Sequence, residues 1–111
     1  MKPLRWRPLA RRDVDAAADW HASQGGLELE LAFISALEAA ADLVARHPAS
    51  GSTRHAGLFP DLPAPLRFLP LKTFERYLIY YLEFGDHVEI VRVWDAARDF
   101  PDLPGDSEQV R

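Results

Sequence analysis

The chain predicts an α+β domain of two layers: an N-terminal strand, a helical hairpin and a three-stranded antiparallel sheet. Three observations carry that expectation. Residues 27–46 repeat apolar side chains at the spacing of three and four that one face of a helix requires. Two aromatic and β-branched runs, 77–84 and 88–94, flank the turn pair Gly85-Asp86, as in a β-hairpin. The helical pattern is confined to the first half and most of the strand pattern to the second, which is the segregation of an α+β fold rather than the alternation of an α/β one.

The elements follow in order. Leu4–Arg7 alternates apolar and basic residues between Pro3 and Pro8 and reads as a short edge strand. From Arg11 to Ser23 the period becomes helical. Val14, Ala17, Ala18 and Trp20 lie on one side, Arg12, Asp15 and Asp19 on the other, and Gly25-Gly26 stops it. Leu27 to Arg46 carries one stripe of Leu27, Leu31, Ile34, Leu37, Ala41 and Val44, with a second of Leu29, Phe33, Ala36, Ala40 and Leu43 beside it. So broad an apolar surface needs cover on two sides, and Asp42 and Arg46, four apart on the polar face, can pair. Two helices joined by Gly-Gly form a helical hairpin.

His47-Pro48 ends the second helix, and Ser50–Pro65, punctuated by glycine and proline, reads as an irregular loop. Leu66–Leu69 forms a short strand whose Pro70 suits an edge or a bulge. Tyr77–Leu82 is apolar at both parities, the pattern of a strand covered on both faces. In the last strand Val91 and Val93 share one parity and Ile90, Arg92 and Trp94 the other. Because a charge should not point into the helix-packed core, Arg92 and Trp94 are assigned to the sheet face away from the helices. Residues 1–111 make a single domain, with a tail from about Pro101 that is polar and rich in turn residues and is expected to fray.

Composition excludes several classes. A chain of 111 residues buries roughly two-thirds of its unfolded surface in one core. It holds no cysteine, so neither disulfides nor thiolate metal sites are available. No apolar run approaches the roughly 20 residues of a membrane span, and M-K-P-L-R-W-R-P lacks the apolar core of a signal peptide, which predicts a cytoplasmic protein. Thirteen basic against seventeen acidic residues leave a net charge of −4, the wrong sign for a protein that grips nucleic acid through many phosphates. No direct, sequence-specific nucleic-acid binding is expected.

The motif search is mostly negative. His21, His47, His55 and His87 lie at no metal-ligand spacing and read as solvated surface residues, so no metal or other cofactor is expected. No phosphate-binding glycine loop or nucleophile elbow is present. Ser23, Ser35, Ser50, Ser52 and Thr53 sit near helix ends or in the loop and suit capping or turns. Trp6, Trp20 and Trp94 suit packing or interface anchoring. One basic constellation stands out: Arg67, Lys72, Arg76, Arg92 and Arg98 come from consecutive sheet segments and can share a face, or they can pair with Glu75, Glu89, Asp95 and Asp99.

These pieces, in this order, resemble the RelE/ParE superfamily of toxins from type II toxin–antitoxin systems, in its ParE-like branch. The resemblance runs from the opening strand through R-R-D-V-D-A-A-A-D-W, the glycine joint and the long helix ending H-P-A-S-G. It continues through Leu66-Arg67, F-E-R-Y-L-I-Y-Y and G-D-H-V-E-I-V-R-V to the closing Ala97-Arg98-Asp99. It implies a toxin neutralised by a small antitoxin, ParD-like or otherwise, that wraps the helices and sheet. ParE-like members poison DNA gyrase, whereas RelE-like members cut mRNA on the ribosome.

Two departures from the family bear on mechanism. Asp95 stands where many members carry histidine. No tyrosine or histidine follows His87, and Phe100 cannot move a proton, so the acid–base chemistry of RNA cleavage lacks its groups. The expectation is therefore a gyrase-binding inhibitor with no catalytic residues. The alternatives are a RelE-like endoribonuclease using Arg67, Arg76, Arg92 and Arg98, and a homologue that only binds antitoxin. The target-contact candidates are Arg92, Trp94, Asp95, Arg98, Asp99, Phe100 and Leu103, with Arg67, Lys72 and Arg76 as a basic patch. Trp6 and Trp20 are the antitoxin-contact candidates.

Overall fold

The computed structural model describes residues 1–98, so Asp99, Phe100, Leu103 and the rest of the expected tail lie outside the described residues. Strand β1 (Leu4–Trp6) leads directly into the helical element α1 (Pro8–Arg46), followed by β2 (Arg67–Pro70), β3 (Tyr77–Glu83) and β4 (Val88–Asp95). The strands form one sheet in the order β1-β4-β3-β2. The two pairs among β2, β3 and β4 are antiparallel, as expected, while β1 joins the same sheet by running parallel to β4. The sheet therefore has four strands and is mixed.

The helix begins three residues earlier than its apolar periodicity indicates, because Pro8 occupies the first turn, where its fixed φ and missing N–H cost nothing. A straight helix of this element's 39 residues would extend about 58 Å, yet the longest dimension of the molecule is 39 Å. The chain turns back at Gly26, whose φ of 70° and ψ of −164° lie outside the helical region and suit a residue without a Cβ. His21 on one arm stacks on Phe33 on the other at 4.6 Å, which is the helical hairpin that the glycine pair predicts.

One face of the sheet packs on this hairpin. Phe33, Leu37, Ala40 and Val44 bury against Tyr77, Ile79, Tyr81, Val88, Ile90 and Val93. The opposite face holds a second core of Leu66, Phe68, Leu78, Tyr80, Leu82, Val91 and Trp94. The expectation that Tyr77–Leu82 is covered on both sides holds. The second cover is the chain's own loop, which brings Phe59, Leu62 and Ala64 against that face and pairs Ser52 with Phe68 as an isolated bridge. That loop is less irregular than its composition suggests, with short 3-10 turns at Pro48–Ser50 and Ala56–Leu58.

The parity assigned to the last strand is correct at one end and wrong at the other. Tyr80 faces Arg92 and Tyr81 faces Ile90, so Val91 is an extra residue on β4, a β-bulge. The bulge breaks the alternation. Ile90 and Val93 both point to the helices, Val91 joins Trp94 on the far face, and Arg92 is opposite Tyr80 on that face. Arg92 and Trp94 thus lie where the burial argument put them, while Ile90 and Val91 have exchanged sides.

Candidate functional site

The end of β4 and residues 96–98 after it carry a connected cluster of polar contacts. β1 pairs with β4 only as far as Ile90, where the chain leaves the sheet to start α1. The open edge beyond Ile90 is closed by Asp13 on the first helical arm. Its carboxylate accepts from Arg92 Nε at 2.7 Å and Nη2 at 2.8 Å, and from the backbone N–H of Val93 at 3.0 Å. The side chains of Arg92 and Asp13 are only 11% and 13% exposed, so this bidentate pair is largely desolvated. An arginine inside an apolar strand needs a partner. No spacing in the sequence links it to a residue 79 positions away.

Trp94 lies between two guanidinium groups, with Arg92 Cζ 4.6 Å and Arg98 Cζ 4.4 Å from its ring centroid. Arg92 is fixed by Asp13, whereas Arg98 is exposed. At the start of β3, Arg76 donates to Asp95 at 3.0 Å, and Asp95 also accepts from the N–H of Ala97 at 2.9 Å. Asp95, Arg76, Arg92, Trp94 and Arg98 are therefore neighbours at one end of the β3–β4 hairpin.

The five-residue basic patch does not assemble. Arg67 is opposite Tyr81, on the helix-facing side, and donates to the carbonyls of Gly51 at 2.9 Å and Ala49 at 3.3 Å. Lys72 is exposed in the loop after β2. The pairing of Arg76 with Asp95 follows the plainer of the two sequence-based readings. Asp42 and Arg46 pair at 2.8 Å, as their spacing predicts.

His21 and His55 are not the solvated surface groups that their spacing predicts. His21 is 4% exposed, inside the core between the helical arms and β3. His55, in the loop covering the second face, stacks on Phe68 at 4.4 Å and shares a hydrogen bond of 3.0 Å with the Tyr80 hydroxyl. Burial, then the neighbouring Arg54, pushes the His55 pKa down, and burial pushes that of Tyr80 up. The only signal for His55 in the sequence is its place in a loop whose Phe59 and Leu62 need a surface to cover. Among the described residues no group of three or more His, Cys, Asp or Glu side chains could hold a metal ion. No helix among the described residues is long and apolar enough to cross a membrane.

A separate surface lies along β1 and the helices. β1 is an edge strand with no strand on its outer side among the described residues. Leu4, Trp6, Ala41 and Ala45 line an apolar cleft of about 610 Å³ between it and the second helical arm. At the hairpin bend, Trp20, Leu27 and Leu31 are 48%, 67% and 54% exposed. The two sequence-nominated tryptophans thus fall in different places, Trp6 in the cleft wall and Trp20 near the bend.

Residues 4–100 match the family model described as the ParE toxin of the type II toxin–antitoxin system parDE. Among solved structures, the chain is similar to one described as a chromosomal ParDE TA system from P. aeruginosa. The TM-score is 0.66 at 22% identity, covering 84% of this chain and 94% of that one. A comparison with curated protein sequences finds no match.

Proposed function

Because the chain belongs to the ParE toxin family of type II toxin–antitoxin systems, we propose that it arrests growth by binding DNA gyrase, catalyses no reaction of its own, and is neutralised by a ParD-like antitoxin. The observation that carries this reading is the Arg92–Trp94–Arg98 stack at the exit of β4. Tryptophan and arginine are the side chains that most often anchor protein–protein contacts. Asp13 holds Arg92 in place, so the stack is preorganised.

The same ion pair argues against phosphodiester chemistry. Arg92 is committed to Asp13, Arg76 to Asp95 and Arg67 to two carbonyls, which leaves Arg98 as the exposed guanidinium of the stack. The segment from Asp95 to Leu103 completes the proposed gyrase contact. The antitoxin takes the unpaired edge of β1 and the cleft beside it, by strand addition or by seating an apolar helix face, with Trp6 and Trp20 as anchors. Gyrase and ribosomes both place such a toxin in the cytoplasm.

A ribosome-dependent endoribonuclease is the second reading. It is favoured by the His55–Tyr80 hydrogen bond, which joins a histidine whose pKa burial pushes down to a tyrosine hydroxyl on the Arg92 face of the sheet. The experiment is induced expression without antitoxin, scoring filamentation and DNA breaks against a translation block, alongside purified gyrase and ribosome assays. Gyrase inhibition that disappears in Arg98→Ala and on truncation after Asp99, with circular dichroism unchanged, is the expected outcome. Cleavage of mRNA on ribosomes that depends on His55, with supercoiling untouched, overturns it. No growth effect alongside tight antitoxin binding identifies a homologue that has kept only the antitoxin interaction, and Asp95, tied to Arg76, is then the residue to replace with histidine.

A further inference from the structure

Behind the exposed Trp20, on the side of the domain where the loop from β2 to β3 meets the first helical arm, is a cleft of about 350 Å³. Its size falls near the lower end of the roughly 300–1,000 Å³ of ligand pockets. Its walls are mostly aromatic, Trp20, His21, Phe74 and Tyr77, and Thr73, Glu75 and Arg76 complete the lining. His21 is the unusual member. It is 4% exposed, and its Nδ1 is 2.7 Å from the carbonyl of Ala17. A carbonyl only accepts, so Nδ1 carries a proton, and in the neutral ring Nε2 presents a lone pair.

No side chain or backbone group among the described residues donates to that nitrogen. The ring is held rigidly all the same: flat on Phe33 at 4.6 Å, with the edge contacts of Trp20 at 5.0 Å and Phe74 at 5.2 Å around it. A buried acceptor without a donor is costly, so such groups are rarely left unmet. Since Nδ1 is turned back to its own helix, Nε2 is the ring atom available to whatever enters the cleft.

We propose that this cleft binds a planar aromatic ring carrying one N–H or O–H donor at its edge, an indole or a phenol, with the donor on His21 Nε2 and the ring face against Trp20 and Phe74. Aromatic walls select a flat apolar body, and the single acceptor selects the donor. Thr73 keeps a φ of 73° in this loop, an uncommon conformation for a β-branched residue, and it shapes the rim with its N–H bound to Glu75 at 3.2 Å. The ring can arrive as a free small molecule or as a side chain of a bound polypeptide, and the chemistry of recognition is the same.

The test titrates the full chain with indole and with benzofuran, which has the same shape and an oxygen in place of the N–H, following backbone NMR shifts. Saturable indole binding with shifts at residues 20–21 and 73–77 is expected, with benzofuran weaker by roughly tenfold. His21→Phe keeps the stack and removes the acceptor, so it should erase the preference for indole while its NMR spectrum stays folded. If His21→Phe fails to fold, Trp20→Ala, which alters only the exposed wall, weakens both ligands together. N-acetyltryptophanamide binding more tightly than indole assigns the site to a polypeptide side chain, and weaker binding assigns it to a free ring. Equal affinity for indole and benzofuran, shifts elsewhere, or no saturable binding overturns the proposal.

Discussion

Replacing Asp13 with alanine tests whether the candidate site is held by the ion pair between α1 and β4. The carboxylate accepts two hydrogen bonds from Arg92, at 2.7 and 2.8 Å, and a third from the Val93 amide at 3.0 Å, with both side chains nearly out of water. Removing one partner of a buried pair costs about 3–5 kcal/mol, because the remaining charge stays desolvated. The pair keeps slight solvent contact, so the lower end applies, about 3 kcal/mol. That is a large share of the roughly 5–15 kcal/mol that stabilises a domain. At roughly 4–5 °C per kcal/mol for a chain of this size, it lowers Tm by about 13 °C.

Urea unfolding followed by tryptophan fluorescence and far-UV circular dichroism measures the loss, provided the two transitions coincide and m is unchanged. The double replacement Asp13→Leu with Arg92→Leu should recover most of it, since an apolar pair of similar volume is often no less stable than a buried ion pair. The residual deficit belongs to the Val93 N–H, about 1 kcal/mol. A loss below about 1 kcal/mol in Asp13→Ala refutes the reasoning, because the pair would then behave as a screened surface contact. A double variant no more stable than the single one would show that the cost lies in the strand edge and not in the arginine.

Three further outcomes follow from other parts of the fold. Gly26→Ala should lower stability by about 1–3 kcal/mol in thermal melts, through backbone strain alone, since its φ of 70° with ψ of −164° is a combination that little besides glycine adopts and nothing lies within 4 Å of an added Cβ there. Tyr81→Phe removes the hydroxyl that accepts from the Gly51 N–H at 2.9 Å and donates to the Pro48 carbonyl; it should cost about 1–3 kcal/mol and speed hydrogen exchange of the Gly51 amide. His87 is flanked by Asp86 at 2.7 Å and Glu89 at 3.0 Å, and the hydrogen bond to Asp86, then that to Glu89, raises its pKa above the ordinary 6.5. Its contribution is therefore fully present below pH 6.5 and lost as pH rises through the raised folded value, and His87→Gln should flatten that part of the stability profile.

What the sequence makes legible here is whatever is encoded within about a dozen residues. The apolar stripes of 27–46, the Gly25-Gly26 joint, the Gly85-Asp86 hairpin and the two-sided burial of β3 all recur in the structure because each depends on local period or local turn chemistry. The partner of Arg92 and the parallel pairing of β1 with β4 depend on segments some eighty residues apart, and no local pattern reports them. The bulge at Val91 is a subtler case. A run of V-E-I-V-R-V-W is apolar at both parities, so inserting one unpaired residue leaves the pattern looking continuous.

The histidines expose the limit of spacing as a criterion. His21 and His55 share no metal-ligand interval, and a surface position was the reasonable inference from that alone. Each instead stacks on a phenylalanine that a turn of the chain brings back to it, Phe33 across the glycine joint and Phe68 across the loop. An imidazole is flat, and with one nitrogen hydrogen-bonded it has few polar groups left to satisfy, so an aromatic core admits it at modest cost. The same reasoning separates the two. Tyr80 meets His55 through a hydrogen bond, whereas His21 keeps an acceptor with no donor among the described residues, and that difference makes the Trp20 cleft the place to look for a ligand.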